Sequence, residues 1–174
     1  LGCRTPRSRR GFAAVTFARC GRAAICERQE KPVEHKLTFL DGAMGTMLQR
    51  HGLKLGEIPE LLGITQPDLL TNIHRQYIEA GTEIVYANTF GANRRKMQKT
   101  PYTVADVVSA AIAAAKKACI GTSARVALDI GPLGELLEPM GTLPFETAVD
   151  MFAEIVDAGV NAGADLICIE TMTV

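Results

Sequence analysis

The sequence lacks three things at once: a net charge, a long apolar run and any paired-cysteine spacing. Its 19 Lys and Arg balance 19 Asp and Glu over 174 residues, which gives no electrostatic case for a nucleic-acid partner. No apolar run approaches the roughly 18 residues that a membrane-spanning helix needs, so a soluble protein with no membrane partner is expected. The five cysteines, Cys3, Cys20, Cys26, Cys119 and Cys168, form no CxxC pair and no zinc-ligand spacing. Their scatter and odd number fit a reducing, cytoplasmic compartment better than a disulfide framework. Acidic residues are missing from residues 1–26, which carry six arginines (Arg4, Arg7, Arg9, Arg10, Arg19 and Arg22). That is the composition of an organelle transit peptide. A first residue of Leu rather than Met fits an incomplete or wrongly extended reading frame as well. Residues 1–35 are therefore read as a basic, poorly ordered extension, and the fold is sought in 36–174.

What is present is enough apolar material for one domain: 47% of the residues are hydrophobic, and the length supports a single core. Four short apolar runs stand out: LTFL (37–40), EIVYA (83–87), RVALD (125–129) and DLICI (165–169). Rich in Ile, Val and Leu and too short for helices, they read as buried strands. Helical stretches separate them. Thr65-Gln-Pro-Asp68 reads as a capping-box start with proline in the first turn. Leu69, Ile73 and Tyr77 then line one face, flanked by Leu70 and Ile78. Thr103-Val-Ala-Asp106 opens a second helix, and a third begins near Pro144 with Phe145, Val149, Phe152 and Val156 on its apolar face. Gly81, Gly121 and Gly163 sit where C-terminal caps belong. An internal echo, AGTEIVYANT at 80–89 and AGADLICIET at 162–171, repeats the passage from helix end to strand end.

Strands alternating with helices predict a parallel sheet covered by helices, satisfied by open doubly wound folds and by closed barrels alike. The polar residues favour the barrel, because Asp41, Asn88, Asp129 and Glu170 each end a different strand and should share the C-terminal rim, where such barrels do their chemistry. Asp41 opens the turn Asp-Gly-Ala-Met-Gly-Thr46. Gly42 and Gly45 permit unusual backbone angles and bring main-chain N–H groups close to a ligand. Donors for an anion beside one fixed carboxylate suit the two ends of a zwitterionic amino acid. An Asp that merely caps the turn fits the same pattern. Glu170 is a second ammonium ligand, a general base or one half of a structural ion pair. Asn88 supplies a rim amide or ordinary turn chemistry. His51 and His74 lack metal spacing and read as solvated or satisfied. The run Arg94-Arg-Lys-Met-Gln-Lys99 reads as a solvated loop near the rim, with some room for anion binding.

The segments DGAMGTML, QPDLLTNIHRQYIEAGTEIVYANTFGAN, DIGPLGELLEPMGTLPFE and AGADLICIETMT together resemble the homocysteine-binding module of the cobalamin-dependent methionine synthase family. The likeness is nearly continuous from Lys36 to Val174. It implies a (β/α)8 TIM barrel of which this chain holds the first four βα units, binding homocysteine beside a zinc ion that turns the substrate thiol into a thiolate. The methyl group would come from methylcobalamin. Asp41 and Glu170 match the residues that contact the homocysteine amino group, Gly42 and Ala43 the turn that receives its carboxylate, Asn88 a rim amide, and Thr171 a further substrate contact. No catalytic residue and no metal ligand is carried over. The zinc-binding cysteines of the family lie in the second half of the barrel, so zinc ligands are expected beyond residue 174. The missing C-terminal half-barrel and the folate and cobalamin modules are expected as partners in the complete enzyme, and this fragment alone is expected to be inactive. Two alternatives remain: a relative using betaine or S-methylmethionine as donor, and a non-catalytic homocysteine-binding half-barrel.

Overall fold

The computed structural model describes residues 37–172; the basic extension lies outside the described residues. Helix α1 (Met44–Arg50) is followed by a 3-10 turn (Pro59–Leu61), α2 (Leu62–Thr65) and α3 (Pro67–Glu79). Strand β1 (Ile84–Tyr86), short helix α4 (Arg94–Met97) and α5 (Val104–Cys119) come next. Strand β2 (Arg125–Ile130), α6 (Phe145–Asn161) and β3 (Leu166–Ile169) complete the order. The three strands form one parallel sheet in the order β1-β2-β3, with Tyr86 opposite Ala127 and Asp129 opposite Cys168. This is the α/β alternation that the apolar runs predict.

The first run departs from expectation. LTFL forms no full strand: only Leu40 bridges, in parallel, to Ile84. Phe39 O accepts from Glu83 N at 2.8 Å, and Asp41 N donates to Ile84 O at 3.2 Å. With a pairing partner on β1 alone among the described residues, the segment is held at its C-terminal end, the end that carries Asp41. Leu37 and Phe39 stay exposed.

Local signals explain most of the helices. Thr103 caps α5: its hydroxyl accepts from Asp106 N (3.1 Å), and the Asp106 carboxylate accepts from Thr103 N (2.9 Å). The matching reading at Thr65 is corrected. Thr65 is the last residue of α2, already helical, and its hydroxyl donates to Leu61 O at 3.2 Å. A cap needs extended backbone; Gln66 occupies that position without a side-chain cap, and Pro67 starts α3. Gly81, Gly121 and Gly163 all adopt positive φ at helix ends, as expected.

The buried face of α6 is also corrected. Ala148, Met151, Ile155 and Ala158 are buried, and of the expected face Phe152 and Val156 pack half-buried against the core, whereas Phe145 and Val149 are exposed. Small side chains let the helix lie close to the sheet, and close approach outweighs the larger apolar groups one step round. A Cβ on Gly159 would stand 2.4 Å from Leu128 Cδ2, and Leu128 is fully buried in β2. Gly159→Ala is therefore expected to destabilise the protein by about 1–3 kcal/mol, the usual penalty for overpacking. Thermal denaturation checks this, and an unchanged Tm would contradict the close approach.

Parity along the strands then divides the sheet. Val85, Val126, Leu128 and Ile130 face α5 and α6 and form the main core with Val107, Val108, Ala111, Ile112 and Ile155. Tyr86, Asn88, Asp129, Cys168 and Glu170 alternate with them and belong to the other face. Among the described residues no helix is long and apolar enough to cross a membrane.

Candidate functional site

The C-terminal ends of the strands enclose a cavity of about 490 Å³, lined by Asp41, Gly42, Ala43, Glu60, Tyr86, Asn88, Phe90, Asp129 and Glu170 among others. The four strand-end residues singled out by sequence thus meet at one place. Thr171 is not part of the lining; it is exposed and takes a left-handed backbone, φ 55°.

Asp41 is not a helix cap. The cap of α1 is Ala43, without a side-chain bond, and Asp41 Oδ2 instead accepts from Tyr86 N at 3.0 Å. Its other oxygen, Oδ1, is buried without a hydrogen-bond partner. Gly42 and Gly45 adopt no positive φ, so their value is not unusual backbone angles. A Cβ on Gly42 would stand 3.0 Å from the Tyr77 ring, whose hydroxyl donates to Ala43 O at 3.3 Å. The N–H groups of Gly42 and Ala43 donate to no carbonyl among the described residues. They are free for an external acceptor.

Of the four acids that line this space, three act on it together: Asp41, Asp129 and Glu170. Burial, partly offset by the Tyr86 N–H, pushes the Asp41 carboxyl up to about 6, with the Glu170 charge adding to the rise. Burial also pushes Asp129 up to about 7, with Glu170 and Asp41 adding to it. Asp129 Oδ1, like Asp41 Oδ1, is buried and unpartnered. Glu170 is exposed and continues the β3 register through its N–H to Ile130 O at 3.1 Å. Asn88 is 8% exposed and donates its amide N–H to Pro59 O at 2.8 Å, so half of its amide serves the fold.

Two sequence readings fail here. His74 is neither solvated nor satisfied. It follows Ile73 in the buried stripe of α3, is wholly buried, and both ring nitrogens lack partners. Its Nδ1 lies 3.9 Å from Asp41 Oδ2, and burial lowers its pKa to about 4, which leaves it neutral. His51 is exposed, with Nδ1 2.8 Å from Met47 O. The Arg94–Lys99 run is not a solvated loop. Its first four residues form α4, capped by Asn93, whose side chain accepts from Lys96 N. Arg94 pairs with Glu154 (2.7 Å), Arg95 with Glu135, and Lys96 with Glu60 (2.9 Å).

Sequence reasoning missed Glu60. It is 3% exposed, accepts from Gly91 N at 2.9 Å, and binds Lys96. Together with the Asn88–Pro59 bond, it ties the 3-10 turn to the loop after β1 and forms part of the cavity wall. Only the Lys at α4 hints at it in the sequence. Cys168 Sγ donates to the Tyr86 hydroxyl at 3.2 Å. Among the described residues no group of three or more His, Cys, Asp and Glu side chains is placed to hold a metal ion.

The family whose pattern matches this chain is described as homocysteine S-methyltransferase, and the match runs over residues 38–174. The chain belongs to that family. Two similar relatives are methionine synthases. That of Mycobacterium tuberculosis is 34% identical over 145 residues, and that of Mycobacterium leprae 33% over 146. Each comparison covers 75% of this chain and 12% of the relative, so the chain spans about an eighth of the length of these proteins. Among solved structures, the homocysteine methyltransferase MmuM from Escherichia coli superposes in its metallated form with a TM-score of 0.68. The identity is 23%, over 79% of this chain and 55% of that one. Its oxidized form gives 0.67 at 22% identity. At such identities the likeness speaks to the α/β fold of this homocysteine S-methyltransferase chain, with its parallel sheet and helical cover.

Proposed function

We propose that the cavity binds the amino-acid end of homocysteine, with Asp41 and Glu170 facing the ammonium and the Gly42 and Ala43 N–H groups receiving the carboxylate. Asn88 contributes its remaining amide edge, and Thr171 a contact from the rim. The observation that carries the reading is the unpartnered, buried Asp41 Oδ1 beside two free backbone donors. A buried carboxylate oxygen without a partner is unfavourable, and a bound ammonium is the partner it lacks.

The chain is, on this reading, the N-terminal half of a (β/α)8 barrel in a cytoplasmic methionine synthase that methylates homocysteine. The half-barrel is supported by the coverage of the solved neighbours, 53–55% of their length, and by exposed Ile167 and Ile169 on β3. On this reading the donor is methylcobalamin rather than betaine or S-methylmethionine, in line with the two relatives named methionine synthase. In the complete enzyme the folate and cobalamin modules and the second half of the barrel are the partners of this piece. Zinc would make the substrate thiol a thiolate, but the described side chains do not fit it: they bring no donor set together, and Cys168 is engaged with Tyr86. No step is assigned to a metal held by these residues. Their work is to bind and orient homocysteine by its zwitterionic end, leaving the thiol free to react.

Calorimetry on the 174-residue chain tests the reading with L-homocysteine and two truncated thiols, 4-sulfanylbutanoate and 3-aminopropane-1-thiol. Each truncation removes one charged end, so each is expected to bind at least about 10-fold more weakly, the loss of one charge-assisted contact. Equal affinity for the amine-free thiol would sink the assignment of Asp41.

A further inference from the structure

We propose that Asp129 is a third carboxylate of the ammonium subsite, and that it sets a preference for ligands bearing a free primary amine. The proposal rests on the homocysteine reading above.

The fold uses the Asp129 main chain and leaves its side chain idle. Asp129 N donates to Thr89 Oγ1 at 3.0 Å, and Thr89 Oγ1 donates to Asp129 O at 2.8 Å. This exchange locks the end of β2 to the loop after β1 whatever the side chain. The residue is nevertheless 7% exposed, and its Oδ1 has no partner. An alanine, as at Ala127 two residues earlier on the same face, would serve packing without desolvating a charge.

The surroundings point to what the carboxylate is for. Asp41, whose Oδ1 is likewise buried and unpartnered, lines the same cavity, and so does Glu170. Among the described residues no Lys or Arg lines the cavity. The nearby Lys96 is turned to Glu60 in a pair that already satisfies it. Among the described residues Asp41, Asp129 and Glu170 therefore have no compensating cation on the lining. A primary ammonium carries three N–H donors and can give one to each of three carboxylates. A hydroxyl, a thiol or an acylated amine cannot. The elevated values of Asp41 and Asp129 fit the same account: a cation entering between them would lower both and expel protons.

The sign for the empty protein runs the other way. A folded value of about 7 lies above the ordinary 3.8, so between those values the folded state holds more protons than the unfolded chain, and stability falls as pH rises. Asp129→Asn removes that loss. A residue kept for the fold would destabilise when changed; one kept for a ligand would stabilise and lose binding.

The experiment is Asp129→Asn in the 174-residue chain, read by thermal denaturation and by calorimetry with L-homocysteine and 4-sulfanylbutanoate. Tm is expected to rise by several degrees at pH 8 and to be unchanged at pH 4. L-homocysteine affinity at pH 8 is expected to fall about 10-fold, while that of the amine-free thiol changes little, so the preference between them collapses. In the unaltered chain, N-acetyl-L-homocysteine should bind no better than the amine-free thiol. Calorimetry at pH 6.5 in two buffers of different ionisation enthalpy should show proton release that Asp129→Asn reduces. Normal L-homocysteine binding with an unchanged preference and unchanged proton release in Asp129→Asn would overturn the proposal while leaving the homocysteine reading intact. Failure of the unaltered chain to bind L-homocysteine would overturn both.

Discussion

Asp41→Ala is expected to raise the dissociation constant for L-homocysteine about 10- to 150-fold at pH 8. A hydrogen bond to a charged group contributes about 1.5–3 kcal/mol, and each 1.4 kcal/mol is tenfold. The upper part of that range is favoured for Asp41 because its side chain is 2% exposed. Glu170→Ala should lose less, since Glu170 is exposed and water screens its attraction. Binding should also depend on pH in a defined direction. The carboxyl groups of Asp41 and Asp129 are raised to about 6 and about 7, so both are largely protonated at pH 5. The ammonium finds them ionised only as pH rises, and affinity should climb between pH 5 and 8 before levelling. The Asp41→Ala variant should lose the lower part of that climb. Calorimetric titrations at pH 5, 6.5 and 8 decide the matter, and a flat profile would remove both acids from the ammonium subsite.

Lys96→Met is expected to destabilise the folded chain by about 3 kcal/mol, the lower end of the range for stranding one member of a buried pair. Glu60 is the buried partner, its side chain 4% exposed, whereas that of Lys96 is 36% exposed. Among the described residues, removing the lysine leaves the Glu60 carboxylate with the Gly91 N–H alone. The double variant Glu60→Gln with Lys96→Met should recover most of the loss, because a neutral amide still accepts from Gly91 and strands no charge. Urea denaturation of the two variants gives the comparison. A loss below about 1 kcal/mol in Lys96→Met would mean that the pair behaves as a surface bridge, and that the cavity wall does not depend on it.

Much of this molecule follows from short-range sequence chemistry. The apolar runs place β1, β2 and β3 within a residue or two, because a strand buried between layers must be continuously apolar. Thr103 and Asp106 mark the start of α5, and Gly81, Gly121 and Gly163 mark helix ends, because capping needs only neighbours in the chain. The same locality puts Asp41, Asn88, Asp129 and Glu170 at strand ends, and parallel strands in sequential order then bring them to one rim.

What the sequence cannot carry is contact between segments. The buried face of α6 turned on how near Gly159 comes to Leu128, a distance set by the sheet and invisible in hydrophobic periodicity. Thr65 has the letters of a cap, yet α2 ends on it and leaves Gln66 to begin the next helix. His74 reads as an ordinary helix-face histidine until α3 packs it out of water beside Asp41. The pairing of Glu60 with Lys96 spans 36 residues and arises only when the 3-10 turn folds against α4. Residue type and spacing determined that Asp41, Asp129 and Glu170 reach the cavity. Only the tertiary structure decided which of their oxygens lost water without finding a partner, because desolvation depends on every atom packed around a group and not on its neighbours in the chain.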